Sequence, residues 1–219
     1  MTSLYEFLAG PGAWISFVVF GGGLLIRLAF LAGLSRERDS SMNNHVAWDW
    51  GLKSVFHGLL PLGTMGYQSQ PVFSVMFFIF HVCLLAAPIF LSAHNILFAE
   101  AFGWSLPTLP DAVADWLTVG VIVSGLFLFI RRLARAEVRL LTGAWDYLLL
   151  LLTLAPFVFG FLAYHQIGDY DLMLVLHVGL GELLLIILPF SKLGHLILFF
   201  FSRVAIGFEM GGRRGARSW

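Results

Sequence analysis

Long apolar runs separated by short polar segments dominate the chain, and this pattern predicts membrane-spanning helices. Each run holds about 20 or more mainly apolar residues, enough to cross a hydrocarbon core about 30 Å thick. The predicted spans are residues 12–34, 72–98, 112–131, 145–165 and 170–201. The polar turn QIGDYD (166–171) is so short that the last two spans are expected to be antiparallel neighbours.

The segment 35–70 departs from this pattern because aromatic and apolar residues alternate with charged ones. It contains HVAWDWGLKSVFHGLLPLG, in which Trp48, Trp50 and Phe56 accompany a lysine and two histidines. This mixture predicts a helix lying at the membrane interface, with a re-entrant stretch as the alternative. No internal repeat is visible, so we expect a single domain over residues 1–219.

Composition supports an all-α integral membrane protein. Hydrophobic residues make up 59% of the chain and charged residues 12%, whereas soluble domains carry about 25% charge. The formal net charge is zero, which gives no reason to expect a nucleic-acid partner. Cys83 is the sole cysteine, which excludes an internal disulfide, a cysteine-ligated iron–sulfur cluster and a four-cysteine zinc site. Any metal chemistry must therefore rest on histidine.

The distribution of charge predicts the orientation. All thirteen basic residues lie in or toward the first loop, the third loop or the C-terminal tail. The charged residues of the loop 99–111 and of the turn 166–171 are all acidic. By the positive-inside rule the N-terminus is outside and the C-terminus cytoplasmic, and a bacterial inner membrane is the natural location. No basic segment precedes the first span, so we expect it to be retained and not cleaved as a signal peptide.

Four of the seven histidines fall inside predicted spans: His81 and His94 in the second, His177 and His195 in the fifth. Ionisable side chains at membrane depth are costly and usually functional. Neutral imidazole is a common axial ligand of haem iron, and the chain lacks a CxxCH attachment motif. The sequence therefore predicts non-covalent haem b. His45 is expected to lie in a solvated loop.

The spacing of the two later histidines favours two haems. Eighteen residues correspond to five helical turns, which would place His177 and His195 on one face of one helix, roughly 27 Å apart. With the predicted orientation, His94 pairs with His177 at the outer surface and His81 with His195 at the inner surface.

The spacing within the second span is less regular. Thirteen residues separate His81 from His94, so on an ideal helix they diverge by about 140°. Pro88 lies between them and is predicted to kink or rewind the helix. Two haems, one haem and no haem remain open on the spacing alone.

Three basic residues near the predicted inner surface are candidates to contact haem propionates: Lys192, Arg27 and Arg131. The alternative for Lys192 is contact with lipid headgroups, and for the two arginines a role as topology anchors.

Three further residues are candidates for a quinone or proton site. Glu182 is the only acid deep in a span, and its alternative is a protonated carboxyl hydrogen-bonded to a neighbouring helix. His57 lies in the interfacial segment, which favours an interfacial or quinone-pocket role, with an iron ligand as the alternative. His165 ends the fourth span, where the alternatives are capping the helix, contacting a propionate of the outer haem and handling a proton.

The run LPFSKLGHL (188–196), preceded by His177, resembles the last helix of the respiratory nitrate reductase gamma subunit. That family is a five-helix di-haem cytochrome b with the same N-out, C-in topology. The resemblance implies that His177 and His195 bind different haems, with partners on the second span at His81 and His94. The second-span histidines of the family are closer together than they are here.

The segment FHVCLLAAPIFLSAHNILF (80–98), followed by WSLPTLPDAVADWLT, is more similar to the cytochrome b subunits of transmembrane redox complexes in sulfate-reducing bacteria, of the high-molecular-weight cytochrome complex type. This resemblance implies an electron-transfer subunit beside other membrane subunits. It would link menaquinone or a periplasmic multihaem cytochrome c to a cytoplasmic iron–sulfur subunit. A haem-free or single-haem membrane anchor is the main alternative, and a small proton-coupled transporter is another.

Overall fold

The computed structural model describes residues 2–38, 46–217 and 219, and the elements in these ranges are helices. Short π-helical turns over Leu8–Gly12 and Gly207–Arg213 join or extend the α-helices. The α-helices are Thr2–Phe7 (α1), Ala13–Arg38 (α2), Trp48–Gly58 (α3), Met65–Gln68 (α4), Pro71–Phe90 (α5), Ser92–Phe102 (α6), Asp111–Ala134 (α7), Ala136–Leu140 (α8), Ala144–Tyr164 (α9), Tyr170–Ile187 (α10) and His195–Ile206 (α11).

Six helical stretches in the described ranges are long and apolar enough to cross a membrane, as expected of a multi-pass membrane protein. They are Ser3–Ser35, Pro71–Phe90, Asp111–Ala134, Ala144–Tyr164, Tyr170–Phe190 and Lys192–Arg213. The all-α membrane architecture predicted from the sequence is therefore supported. The fifth predicted span corresponds to the fifth stretch and the beginning of the sixth.

The helices group into two compact units. The first unit comprises Met1–Leu8 and Met76–Gly181, and the second comprises Ala9–Val75 and Glu182–Trp219. The core of the first unit is a buried cluster contributed by α5, α7 and α9, namely Phe80, Val121 and Leu150. Gly125 lets these helices approach closely, since a Cβ there would overlap the side chain of Leu154.

The second predicted span breaks at Leu91, whose extended backbone (φ −69°, ψ 132°) separates α5 from α6. Pro88 lies inside α5, which continues past it to Phe90, so the predicted disruption lies three residues after the proline. Buried Asn95 holds the break: its side-chain amide donates to the carbonyls of Ile89 (2.8 Å) and Leu91 (3.1 Å). The carbonyls of Ile89 and Leu91 at the break are thus hydrogen-bonded.

The prediction of one continuous helix over 170–201 was wrong. α10 ends at Ile187, two short 3₁₀ turns follow, and Ser191 between them is fully extended (φ −117°, ψ −174°). Pro189 cannot donate to the helical ladder, and the Ser191 hydroxyl accepts from the amide of Leu193 at 3.2 Å, which starts a new turn. Five regular turns therefore do not connect His177 to His195, and the same-face argument fails.

Arg27 of α2 stabilises this second break. Its Nη1 donates to the carbonyl of Pro189 at 2.7 Å and to that of Ser191 at 2.8 Å. Gly23, one turn earlier, makes room for the proline, since a Cβ there would lie 2.7 Å from its ring. Irregular backbone at membrane depth needs such donors because lipid offers none.

The interfacial segment contains the amphipathic helix α3. Its buried face consists of Gly51, Ser54 and Gly58, which pack against α11 and the π-helical turn after it. Its opposite side exposes the large side chains of Trp48 and Phe56. Residues 39–45 of the predicted segment, including His45, lie outside the described residues.

Candidate functional site

Two of the four predicted ligand histidines lie close together in the first unit, with nearly parallel rings. The rings of His94 on α6 and His177 on α10 have their centres 5.8 Å apart and are inclined by only 12°. This is the pair that the sequence predicted for the outer surface. The break at Leu91 makes the pairing compatible with the spacing, because His94 belongs to a different helix from His81.

Each ring of this pair is fixed by a hydrogen bond to a backbone carbonyl. His94 Nδ1–H donates to Pro88 at 2.9 Å, and His177 Nδ1–H donates to Pro156 at 2.7 Å. A carbonyl can only accept, so the proton of the neutral ring is on Nδ1 and the lone pair is on Nε2. This is the tautomer of a metal-ligating histidine whose other nitrogen is held by an outer partner.

Gly160 on α9 provides the space for His177. A Cβ at this position would lie 2.7 Å from Nδ1 of the imidazole, closer than two such atoms can approach. The carbonyl of Pro156 lies one turn earlier on the same helix, so α9 supplies both the space and the hydrogen-bond acceptor. The ring of His177 therefore has a defined seat.

The separation of the rings suits one metal ion held from both sides. With metal–nitrogen bonds of about 2 Å, opposed imidazoles have ring centres about 6 Å apart, which compares with the observed 5.8 Å. In the described ranges, no three His, Cys, Asp or Glu side chains come together as a metal site. Two neutral imidazoles alone do not complete a four-coordinate zinc site, whereas a haem needs no more than two protein ligands because its macrocycle supplies the others.

The two histidines predicted for the inner surface lie in different units. His81 Nδ1–H on α5 donates to the carbonyl of Phe77 at 2.8 Å, and its ring centre lies 4.1 Å from that of Phe77. His195 begins α11, is exposed, and donates from Nδ1 to the carbonyl of Lys192 at 3.0 Å. Both rings therefore have the same tautomer as the outer pair. The pairing of His81 with His195 stays a prediction.

The chain has a near full-length relative in Nitratidesulfovibrio vulgaris (strain Hildenborough). The two sequences are 44% identical over 216 residues, which cover 97% of this chain and 96% of the relative, a protein named only "Protein". The chain belongs to the same family as this relative. No family model matches the chain.

The predicted quinone or proton residues have separate surroundings. His165 Nε2 contacts Asp115 Oδ2 at 2.9 Å, in a partly exposed pair at the end of α9. His57 donates from Nδ1 to the carbonyl of Lys53 at 2.8 Å, and its ring stacks on Trp219 with centres 4.8 Å apart. Each of these two imidazoles thus has a local partner, and its role stays a prediction.

Glu182 on α10 is half-buried. Its Oε1 is buried and has no hydrogen-bond partner within the described ranges. A carboxyl in such a place is neutral unless a cation joins it. It remains a candidate for proton uptake.

The three predicted propionate contacts also differ in their surroundings. Arg27 uses Nη1 for the carbonyls of the second break, so its main role is structural. Lys192 is exposed in the second 3₁₀ turn, and Arg131 is half-buried near the end of α7.

The sequence analysis missed the residues that orient the outer pair. Pro156 and Gly160 position the ring of His177. Asn95 stabilises the helix break that precedes His94. A proline and a glycine four residues apart in an apolar span are visible in the sequence, but they do not reveal which neighbouring helix they serve. The signal in the sequence was Asn95, a polar side chain within an apolar run, and this side chain is buried in the structure.

Proposed function

We propose that this protein is a b-type cytochrome subunit of a membrane redox assembly and carries electrons across the bilayer. The observation that supports this most is the opposed pair His94–His177, with both rings in the tautomer that exposes Nε2 to a metal. Haem b, when bound, supplies one-electron transfer. The transporter alternative has no comparable constellation in its favour.

In this proposal the histidines hold two haems. His94 and His177 would hold the haem nearer the exterior, and His81 and His195 the haem nearer the cytoplasm. The carbonyls of Pro88 and Pro156 would keep the outer rings in register and increase the basicity of Nε2.

We further propose five crossings, with the N-terminus outside and the C-terminus in the cytoplasm of a bacterium. Six crossings would place Arg213, Arg214 and Arg217 outside, against the positive-inside rule. Five crossings place every basic cluster inside. The stretch Lys192–Arg213, which packs along the amphipathic helix α3, would then lie at the cytoplasmic surface beside it.

The proposed partners come from the family resemblance of the sequence. They are a cytoplasmic iron–sulfur subunit, other membrane subunits, and menaquinone or a periplasmic multihaem cytochrome c as the electron carrier on the other side. In this assembly the chain transfers electrons, and substrate chemistry belongs to its partners. Glu182, with its unpartnered buried oxygen, is the residue we assign to proton uptake at a quinone site.

The proposal is tested by replacing single histidines in the full chain and recording dithionite-reduced minus oxidised spectra of the purified protein. We expect His94→Ala and His177→Ala each to lose the same b-type component, because each change removes one ligand of the same pair. His45→Ala, a histidine change in a predicted loop, serves as the control and should keep the full spectrum. A spectrum unaffected by either ligand variant would contradict the proposal.

A further inference from the structure

The start of α7 carries two carboxylates, Asp111 and Asp115. They are four residues apart and therefore lie on one face of the helix. In the sequence of the first unit, lysine and arginine occur only between residues 131 and 139. Even the nearest of these arginines along α7 follows Asp115 by about 24 Å of helix axis. Within the first unit, the partners of the two carboxylates are therefore not lysine or arginine.

Asp111 connects α7 to α6. Its Oδ1 accepts a hydrogen bond from the hydroxyl of Ser92 at 3.2 Å. Ser92 is the first residue of α6 and comes two residues before His94. The contact therefore fixes the end of the helix that carries this histidine.

Two hydrogen bonds from backbone amides reinforce this connection. The amide of Leu109 donates to the carbonyl of Phe90 at 2.9 Å, and the amide of Leu106 donates to Oδ1 of Asn95 at 3.0 Å. Both donors belong to the loop that leads into α7, and the two acceptors flank Ser92 in the sequence. Asn95 is buried, so water competes little for its bond. The start of α7 and the loop before it are thus attached to the helix break at three points.

Asp115 connects α7 to the end of α9. Its Oδ2 and Oδ1 lie 2.9 Å and 3.1 Å from Nε2 of His165, the residue at which α9 ends. A carboxylate only accepts, so Nε2 carries the proton of this bond. Tyr164, the preceding residue, interacts with Asp111. A partly exposed pair contributes little alone, but here it adds to a second contact and to the packing of α7 along α9.

The end of α9 is important for the outer histidine pair because the same helix positions His177. Gly160 leaves space for the imidazole, and the carbonyl of Pro156 accepts from its Nδ1 at 2.7 Å. His165 follows Gly160 by about 7.5 Å along the helix axis. A movement of this helix end would therefore change the position of the His177 ring.

We propose that Asp111 and Asp115 are positioning residues for the outer histidine pair. In the proposed function α7 contributes no ligand, but its two carboxylates bind the helix that carries His94 and the helix that positions His177. They keep the separation and the inclination of the two rings constant. This inference rests on the proposed function, in which the two rings bind one haem.

Hydrogen exchange of the full chain, followed by mass spectrometry, tests these connections without the need for haem. In Asp111→Ala we expect the amides of residues 92–98 to exchange about fivefold faster, and in Asp115→Ala those of residues 161–165, because each change removes a contact that closes a helix end. Asp171→Ala, which removes an exposed carboxylate from the start of α10, is the matched control. Exchange in both test variants equal to that of the control would overturn the inference.

Two conservative variants separate a positioning role from general stabilisation. Asparagine keeps an oxygen that accepts from Ser92 or His165, so Asp111→Asn and Asp115→Asn should restore slow exchange. In the haem-loaded protein, the two alanine variants should keep the haem content and shift the electron paramagnetic resonance g-values of one component, since the ligands remain but their rings change inclination. Unchanged g-values in both, with faster exchange over the whole first unit, would contradict the positioning role.

The two measurements keep this inference separate from the proposed function. Haem content decides the proposed function. Exchange at residues 92–98 and 161–165 decides whether the carboxylates hold α6 and α9, with or without haem.

Discussion

At the scale of single residues, the outer histidine pair depends on groups that never contact a metal. The carbonyls of Pro88 and Pro156 set the tautomers of His94 and His177, and Gly160 leaves space for one of the rings. Removing a group that orients a metal ligand through a hydrogen bond commonly lowers the affinity for the metal. The most informative substitutions therefore lie beside the histidines.

Gly160→Ala is expected to disturb the outer pair. The new methyl would meet His177 Nδ1 at 2.7 Å, so the ring must tilt or α9 must move, at a cost of about 1–3 kcal/mol. We expect partial loss of one b-type component and changed electron paramagnetic resonance g-values of the remainder. Gly33→Ala is the matched control, because a Cβ there meets nothing within 4 Å. Equal spectra for the two variants would contradict the role assigned to Gly160.

At the scale of elements, two apolar stretches contain a break in the helix. At each break one polar side chain donates hydrogen bonds to the backbone carbonyls. Asn95 serves the break between α5 and α6, and Arg27 serves the break between α10 and α11. Each break separates two predicted ligand histidines along the chain. The breaks therefore determine how the imidazole rings are oriented.

Arg27→Gln tests the second break. The change removes two hydrogen bonds from a charged donor to the carbonyls of Pro189 and Ser191, and it should cost about 2 kcal/mol or more. We expect a lower thermal unfolding midpoint of the purified protein and weaker binding of the haem ligated by His195. A tail variant, Arg217→Gln, should unfold like the unmodified chain. An unchanged midpoint in Arg27→Gln would contradict the capping role.

The sequence was sufficient to predict the helical class and the approximate positions of the apolar runs, because their length and composition determine them. It also anticipated that His94 lies near His177, since the second and fifth spans run in opposite directions, whereas their role as a ligand pair stays a prediction. It could not predict how the breaks are held, because Asn95 and Arg27 bind carbonyls through contacts that depend on the folded backbone. Pro189 and Gly194 lie in the last apolar run and favour a break in the helix. The prediction of one helix rested instead on the apolar character of the whole run.

At the scale of the whole molecule, the central structural question is the number of crossings. Six helical stretches qualify by length and composition, whereas charge favours five. An odd number puts the chain ends on opposite sides of the membrane. The five-crossing topology also places His195 on the cytoplasmic side.

Cysteine labelling in a Cys83→Ser background measures this directly. With five crossings, a membrane-impermeant maleimide added to spheroplasts should label Ser3→Cys and Thr108→Cys. Ala216→Cys and Thr142→Cys should react only after the membrane is permeabilised. Labelling of Ala216→Cys in intact spheroplasts would support six crossings and contradict the topology.

The most direct test of the central claim is the number of haems in each chain. The full-length protein, purified from membranes of cells that make haem, should give two haem b per polypeptide in a pyridine haemochrome assay. Two haems are the result expected from the pairs His94–His177 and His81–His195. One haem would contradict the inner pair, and a preparation without haem would contradict the function proposed for this protein.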